Sequence, residues 1–221
     1  MSVKDQNYDQ CVAWLQDLKL DVIKLRKYQR IYREVKDIIG ANTALHVPSA
    51  FYDYFSDTYV TYISLAIRRL TDDSPDCTSL FRFLKRIKGD PSVVSRQRYK
   101  ALYGTATPTN PVEEFIADMP GHAYDALVGE GKPQPDQSDI QAELDTLKAK
   151  TQAICALADV KIAHNIGEPT AVPKYGDVDN AIEYISTLIQ RYLALFHATT
   201  NNLDVVFVHD WKKIFRIPWT I

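Results

Sequence analysis

The chain has 221 residues, of which 46% are hydrophobic and 24% charged, and its formal net charge is −2. This length and composition are typical of one globular domain with a buried core, and the small net charge excludes polyanion binding through bulk charge. No apolar run approaches the roughly 18 residues of a membrane span, and the polar N-terminus lacks the early apolar stretch of a secretory signal. We therefore expect a cytoplasmic protein that has no membrane partner.

Helical periodicity dominates the first half of the chain, where apolar residues recur every three or four positions. Four helices are expected there, over 4–39, 49–70, 78–88 and 91–102. Segment 104–137 is rich in glycine and proline, which predicts a loop-rich insertion with only one or two helical turns around 112–119.

The same periodicity returns after the insertion. It predicts long helices over 138–164 and 179–198 and a short final helix over 210–215. The β-like run at 203–208 has no partner strand in the sequence, so we interpret it as a loop or a buried apolar tail. Helices with one apolar face, joined mostly by short loops, predict a single all-α domain over 1–221, built as a bundle of five or six helices.

Charge is spread unevenly along this bundle. Segment 19–36 has seven Lys and Arg against two carboxylates, and segment 68–100 has nine against four. Segment 111–145 has nine carboxylates against one lysine. Clustered basic segments can form an electrostatic surface for nucleic acid, but solvated helix faces that are compensated within the molecule explain the same pattern.

The common catalytic and cofactor motifs are not found. Segment 129–132 (GEGK) lacks the first glycine and the final Ser or Thr of a phosphate-binding loop. The five histidines and three cysteines have no metal-ligand spacing, and the cysteines are expected to be buried thiols in a reducing compartment. We therefore expect no cofactor and no metal.

One segment near the end of a predicted helix carries a more specific pattern, LADVKIAHN at 157–165. It resembles the motif helix of the HEPN superfamily (higher eukaryotes and prokaryotes nucleotide-binding proteins). Those proteins carry an arginine, four to six further residues and a histidine, in one branch as Arg-Asp-Lys-x-x-Ala-His. Asp159, Ala163 and His164 match that form.

A second similarity lies upstream. Segments 62–73 and 79–85 resemble the second-helix signature of the AbiU-type branch, which is named for abortive infection, and the closing segment 210–215 fits the same order. The resemblance covers most of the chain and implies a HEPN-like helical bundle that often forms a homodimer. In active members it implies metal-independent RNA cleavage in a toxin–antitoxin or phage-defence setting, with the motif His and Arg facing the dimer cleft.

The resemblance implies that His164 acts as general acid or base on a 2′-hydroxyl or a leaving oxygen. Imidazole suits that role because its unperturbed pKa is near 6.5, and positioned proton transfer contributes roughly 10²–10⁴ in rate. A structural role is also open, because a histidine near a helix C-terminus is favoured by the helix dipole.

The motif arginine, which would stabilise charge on the phosphate, is missing. The positions where it is expected hold Leu157, Ala158 and Asp159. Lys161 shares a helix face with His164 and could supply a cation. Arg68 or Arg69 of the second helix could reach in instead, although one of these is expected to pair with Asp72 or Asp73.

Two functional interpretations therefore stay open. The first is a metal-independent endoribonuclease whose candidate site consists of His164, Lys161, Asp159, Arg68 and Arg69. The second is a HEPN-like scaffold whose catalytic pair has decayed and that binds a protein partner (antitoxin-like), a nucleotide or nucleic acid. A purely structural dimer is a third possibility.

Overall fold

The protein folds into packed helices, as seen in a computed structural model that describes residues 3–46, 50–104, 110–163, 171–199 and 203–217. These residues form seven α-helices, one π-helical segment and short 3₁₀ turns, and no strand. The α-helices are α1 Val3–Ala41, α2 Ala50–Leu70, α3 Leu80–Gly89, α4 Arg96–Ala101, α5 Pro111–Val128, α6 Gln137–Leu157 and α7 Tyr175–His197. The all-α prediction is confirmed for this part of the chain, whereas the count of five or six helices is not.

The core lies between the long helices. α1 packs along α7 and α2, while α2, α3 and α7 all pack against α6. In α1 the buried stripe Leu15, Leu18, Val22 and Leu25 follows the predicted three- and four-residue spacing. The buried apolar side chains form one cluster to which all seven helices contribute. Each fully buried aliphatic side chain stabilises the fold by about 1.5–3 kcal/mol, so this cluster holds the ends of α2 and α6 in place. The single-domain organisation over 1–221 stays a prediction.

The loop-rich insertion predicted over 104–137 is wrong for its central part, because α5 occupies 18 residues there. Asn110 starts this helix: its side chain accepts hydrogen bonds from the backbone N–H groups of Val112 and Glu113, and a proline fills the first helical position. Pro120 lies inside the helix, and it is buried together with Tyr124 on the inner face of the second half. Packing of that face offsets the backbone hydrogen bond that a proline removes.

Two shorter predictions are also corrected. The expected helix over 91–102 is divided into a 3₁₀ turn, Pro91–Val94, and the short helix α4. The final segment is a 3₁₀ helix, Trp211–Arg216, rather than an α-helix. Before it, residues 203–207 have no regular structure, which agrees with a loop.

None of the helices within the described ranges is long and apolar enough to cross a membrane.

Candidate functional site

A cleft of about 470 Å³ lies where the C-terminal end of α2 meets the C-terminal half of α6. We call it the Arg68 cleft. Its charged lining residues are two cations and three carboxylates, namely Arg68, Lys148, Asp72, Asp73 and Asp159. The cleft brings the two regions that resemble HEPN motifs into contact, because α2 carries the upstream motif and the chain leaving α6 carries the second.

Arg68 is the central contact of this cleft. Its Nε donates a hydrogen bond to Asp159 Oδ1 at 3.0 Å, and its Nη1 donates to Asp72 one helical turn further along the chain. The hydrogen bond that Arg68 donates to Asp159 is the largest of the effects that raise the pKa of the guanidinium above its ordinary value. Arg68 is therefore a fixed, permanent cation, but two carboxylates already share its charge.

The carboxylate of Asp72 accepts hydrogen bonds from Ser74 as well as from Arg68. The backbone N–H and the hydroxyl of Ser74 both donate to Asp72 Oδ1, at 2.9 and 2.6 Å. These hydrogen bonds, followed by that of Arg68, lower the pKa of Asp72. The carboxylate is therefore ionised at neutral pH. The expected pairing of an α2 arginine with Asp72 is confirmed for Arg68.

The helix that continues from α6 changes its winding at the motif. α6 ends at Leu157, and Ala158–Ala163 is π-helical, a rare winding that often marks functional sites. Ala158 is fully buried, and Leu157 lines a separate pocket beside Tyr59. Of the three positions where the motif arginine is expected, only Asp159 lines the Arg68 cleft.

The other candidate residues are distributed differently. Arg69 does not line the cleft and pairs with Asp21 of α1, although its side chain remains 62% exposed. Lys161 is exposed on the π-helical segment. His164 lies outside the described residues, so the structure places only Arg68 and Asp159 of the candidate set together.

The sequence did not point to the α6 side of the cleft. Lys148, Gln152 and Cys155 line it from successive turns of α6. The Sγ of Cys155 lies 3.2 Å from the hydroxyl of Thr71, and burial raises the pKa of this thiol. A raised pKa keeps Cys155 protonated and makes it a poor nucleophile. The spacing of these residues on one helical face was the only available signal, and it is shared by every amphipathic helix.

In the described part of the chain, no group of three or more His, Cys, Asp or Glu side chains is arranged to hold a metal ion. No family model, curated protein or solved structure matches the chain. We therefore infer function from the geometry of the Arg68 cleft and from the motif resemblance.

Proposed function

We propose that this chain is a HEPN-like protein of the AbiU type that cleaves RNA without a metal, in a phage-defence or toxin–antitoxin role. One observation carries the proposal. Arg68 Nε lies 3.0 Å from Asp159 Oδ1, so a guanidinium reaches the segment that leads to His164 although that segment has no arginine of its own. Arg68 takes the place of the missing motif arginine.

The proposed chemistry divides between two side chains. His164 transfers a proton to or from the reacting oxygens, for which an imidazole is suited near neutral pH. Arg68 donates N–H groups to the phosphate, for which its planar fork is suited. Asp159 and Asp72 orient the guanidinium but also compete with the phosphate for it. The RNA must therefore displace part of this pairing, and cleavage is expected to be slow.

A second function is favoured by the same charges. The charged lining of the cleft contains three carboxylates and two cations, which opposes the binding of a polyanion. The second proposal is therefore a HEPN-like scaffold without turnover, which binds a protein, nucleotide or nucleic-acid partner. Of these partners, a protein agrees best with the charge balance of the cleft. In both cases the resemblance supports a homodimer, and a monomer by light scattering at micromolar concentration would contradict it.

Cleavage of a labelled single-stranded RNA in the presence of EDTA tests the proposal. His164→Ala is expected to reduce cleavage by about 10²–10⁴-fold, the range that positioned proton transfer supplies. Arg68→Ala is expected to reduce it by about 10²–10³-fold, the range for removal of one donor that stabilises transition-state charge. Arg69→Ala is the matched control, because Arg69 is adjacent in sequence but pairs with Asp21 and does not line the cleft. Asp159→Asn is expected to increase cleavage, since it frees one edge of the Arg68 guanidinium.

The variants distinguish the two functions. If neither the wild type nor Asp159→Asn cleaves RNA, the ribonuclease proposal is overturned and the scaffold remains. Equal loss of cleavage in Arg68→Ala and Arg69→Ala would show that Arg68 does not have the specific role proposed for it.

A further inference from the structure

A second concentration of positive charge lies on α3, where it faces α1. Arg82 and Arg86 are one helical turn apart, and both guanidinium groups lie over the ring of Trp14, at 5.3 and 4.9 Å from its centroid. Lys85 is on the same exposed side of the helix. We call Arg82, Lys85 and Arg86 the α3 basic face.

The pairing of arginines singles out this face. Nine of the eleven arginines in the chain have a carboxylate oxygen within 4.0 Å among the described residues. The two without such a carboxylate in that part of the chain are Arg82 and Arg86. An uncompensated pair of guanidinium groups in contact with one indole ring is not explained by a solvated helix face, which would be expected to carry compensating carboxylates.

Neutral groups hold both guanidinium groups in position. Arg82 Nη1 donates to the backbone oxygen of Cys77 at 2.6 Å, and Arg86 Nη1 donates to Asn7 Oδ1 at 2.8 Å. The amide of Asn7 in turn donates to Asp90 at 3.3 Å, so a neutral side chain bridges Arg86 and that carboxylate. Stacking on an aromatic ring and one hydrogen bond each leave the other N–H groups of a rigid fork available for an anion.

The α3 basic face continues into the Arg68 cleft. A depression of about 310 Å³ is lined by Trp14, Asp73 and the three cations, and Asp73 also lines the Arg68 cleft. Lys85 Nζ pairs with Asp73 and lies 5.2 Å from the ring centroid of Phe81, which is another cleft residue. A small anion would occupy either the depression or the Arg68 cleft, whereas the phosphates of a polyanion would extend across both.

We propose that Arg82 and Arg86 bind phosphate groups of a single-stranded RNA that extends from the Arg68 cleft onto α3. The choice of RNA as the polyanion rests on the proposed function. The phosphate chemistry rests on the geometry of the two arginines. Lys85 adds a third cation at the junction, although Asp73 compensates it in the free protein.

Binding of a fluorescently labelled oligouridine tests this site by anisotropy, with His164→Ala as the parent chain so that no cleavage occurs. Each phosphate contact to a single strand contributes a slope of about −0.7 in log K against log salt, which is about fivefold at 0.1 M. Arg82→Gln/Arg86→Gln is therefore expected to weaken binding about 25-fold at 0.1 M salt and to reduce the slope by about 1.4. Glutamine keeps part of each stem against Trp14.

The matched control is Arg30→Gln/Arg33→Gln, which removes the same two charges from α1. These arginines already pair with Glu34 and Asp179, so little change in affinity or slope is expected. A second measurement needs no substitution at the arginines. Modification of arginines by phenylglyoxal, mapped by mass spectrometry on the parent chain, is expected to be suppressed by RNA at Arg82 and Arg86 and not at Arg33.

The outcomes separate this inference from the proposed ribonuclease. RNA binding that depends on Arg82 and Arg86, without cleavage by the wild type, supports the site and removes the nuclease. Absence of RNA binding, equal effects of the two double variants, or unprotected Arg82 and Arg86 overturns the site. If poly-glutamate competes as strongly as RNA with the same dependence on these arginines, the surface binds an acidic protein segment instead, which also overturns the proposal.

Discussion

Replacement of Arg191 by methionine is expected to destabilise the protein strongly, because Arg191 compensates a buried carboxylate. Glu143 of α6 is only 9% exposed. The guanidinium of Arg191 donates to one of its carboxylate oxygens, and the Tyr192 hydroxyl donates to the other at 2.7 Å. Arg191 Nε also donates to the backbone oxygen of Leu127 at 3.0 Å, so one side chain of α7 connects α5 with α6.

The loss of stability in Arg191→Met arises because the variant leaves the carboxylate of Glu143 buried without its cation. Removing one partner of a buried ion pair costs about 3–5 kcal/mol, because the other charge stays buried without compensation. The side chain of Arg191 is 27% exposed, so we expect the lower end, about 3 kcal/mol. For a chain of this length each kcal/mol lowers Tm by about 2–4 °C, which gives a decrease of roughly 6–12 °C.

Urea denaturation and calorimetry of Arg191→Met measure this loss. Arg216→Met is the control, because the Arg216–Asp210 pair is exposed and such pairs contribute about 0–1 kcal/mol. The double variant Glu143→Gln/Arg191→Met is expected to recover part of the loss, since it removes the buried charge as well. A loss below about 1 kcal/mol in the single variant, as for an exposed pair, would show that Arg191 does not compensate a buried charge.

The loss should also depend on pH. Burial raises the pKa of Glu143 above its ordinary value of 4.5, and Arg191 opposes that shift. Without Arg191 the folded-state pKa rises further, so the folded protein holds a proton that the unfolded chain releases above pH 4.5. The folded state of the variant therefore loses stability as the pH rises through that window, and the difference from the wild type should shrink as the pH falls towards 4.5.

Two further predictions concern a thiol and a helix cap. Cys11 is fully buried, and burial raises its pKa to about 11, so it should stay unmodified by a disulfide reagent at pH 8 until denaturant is added; rapid labelling of Cys11 in the native protein would contradict this. Asn110→Ala removes the side-chain acceptor of two hydrogen bonds at the start of α5, at 3.1 and 3.0 Å. The expected cost is about 1 kcal/mol, confined to the exposed first half of α5. Amide exchange in 112–116 should become faster, with residues 140–147 of α6 as the internal control, and unchanged exchange would exclude this role of the cap.

Local patterns in the sequence were sufficient to predict the four longest helices of the described residues. The apolar stripes of α1, α2, α6 and α7 were predictable because a helix buries side chains at a fixed period. A sequence window of two helical turns is long enough to show that period. α5 was not predicted, since its glycines and prolines are typical of loops. The pair Asn110–Pro111, a cap followed by a proline at the first helical position, was the local signal that could have found it.

The candidate site shows the same division. From a resemblance to HEPN motifs, the sequence predicted that His164 and Asp159 are motif residues and that the motif arginine is missing. Only the tertiary structure brought Arg68 to Asp159, which is 91 residues away along the chain. The basic segments were also visible in the sequence. The sequence did not distinguish the arginines of α1, which have carboxylate partners, from Arg82 and Arg86 of α3, which have none among the described residues. Helical periodicity decides which face of a helix is buried, whereas an ion pair between helices depends on their packing angle and register, which no local pattern records.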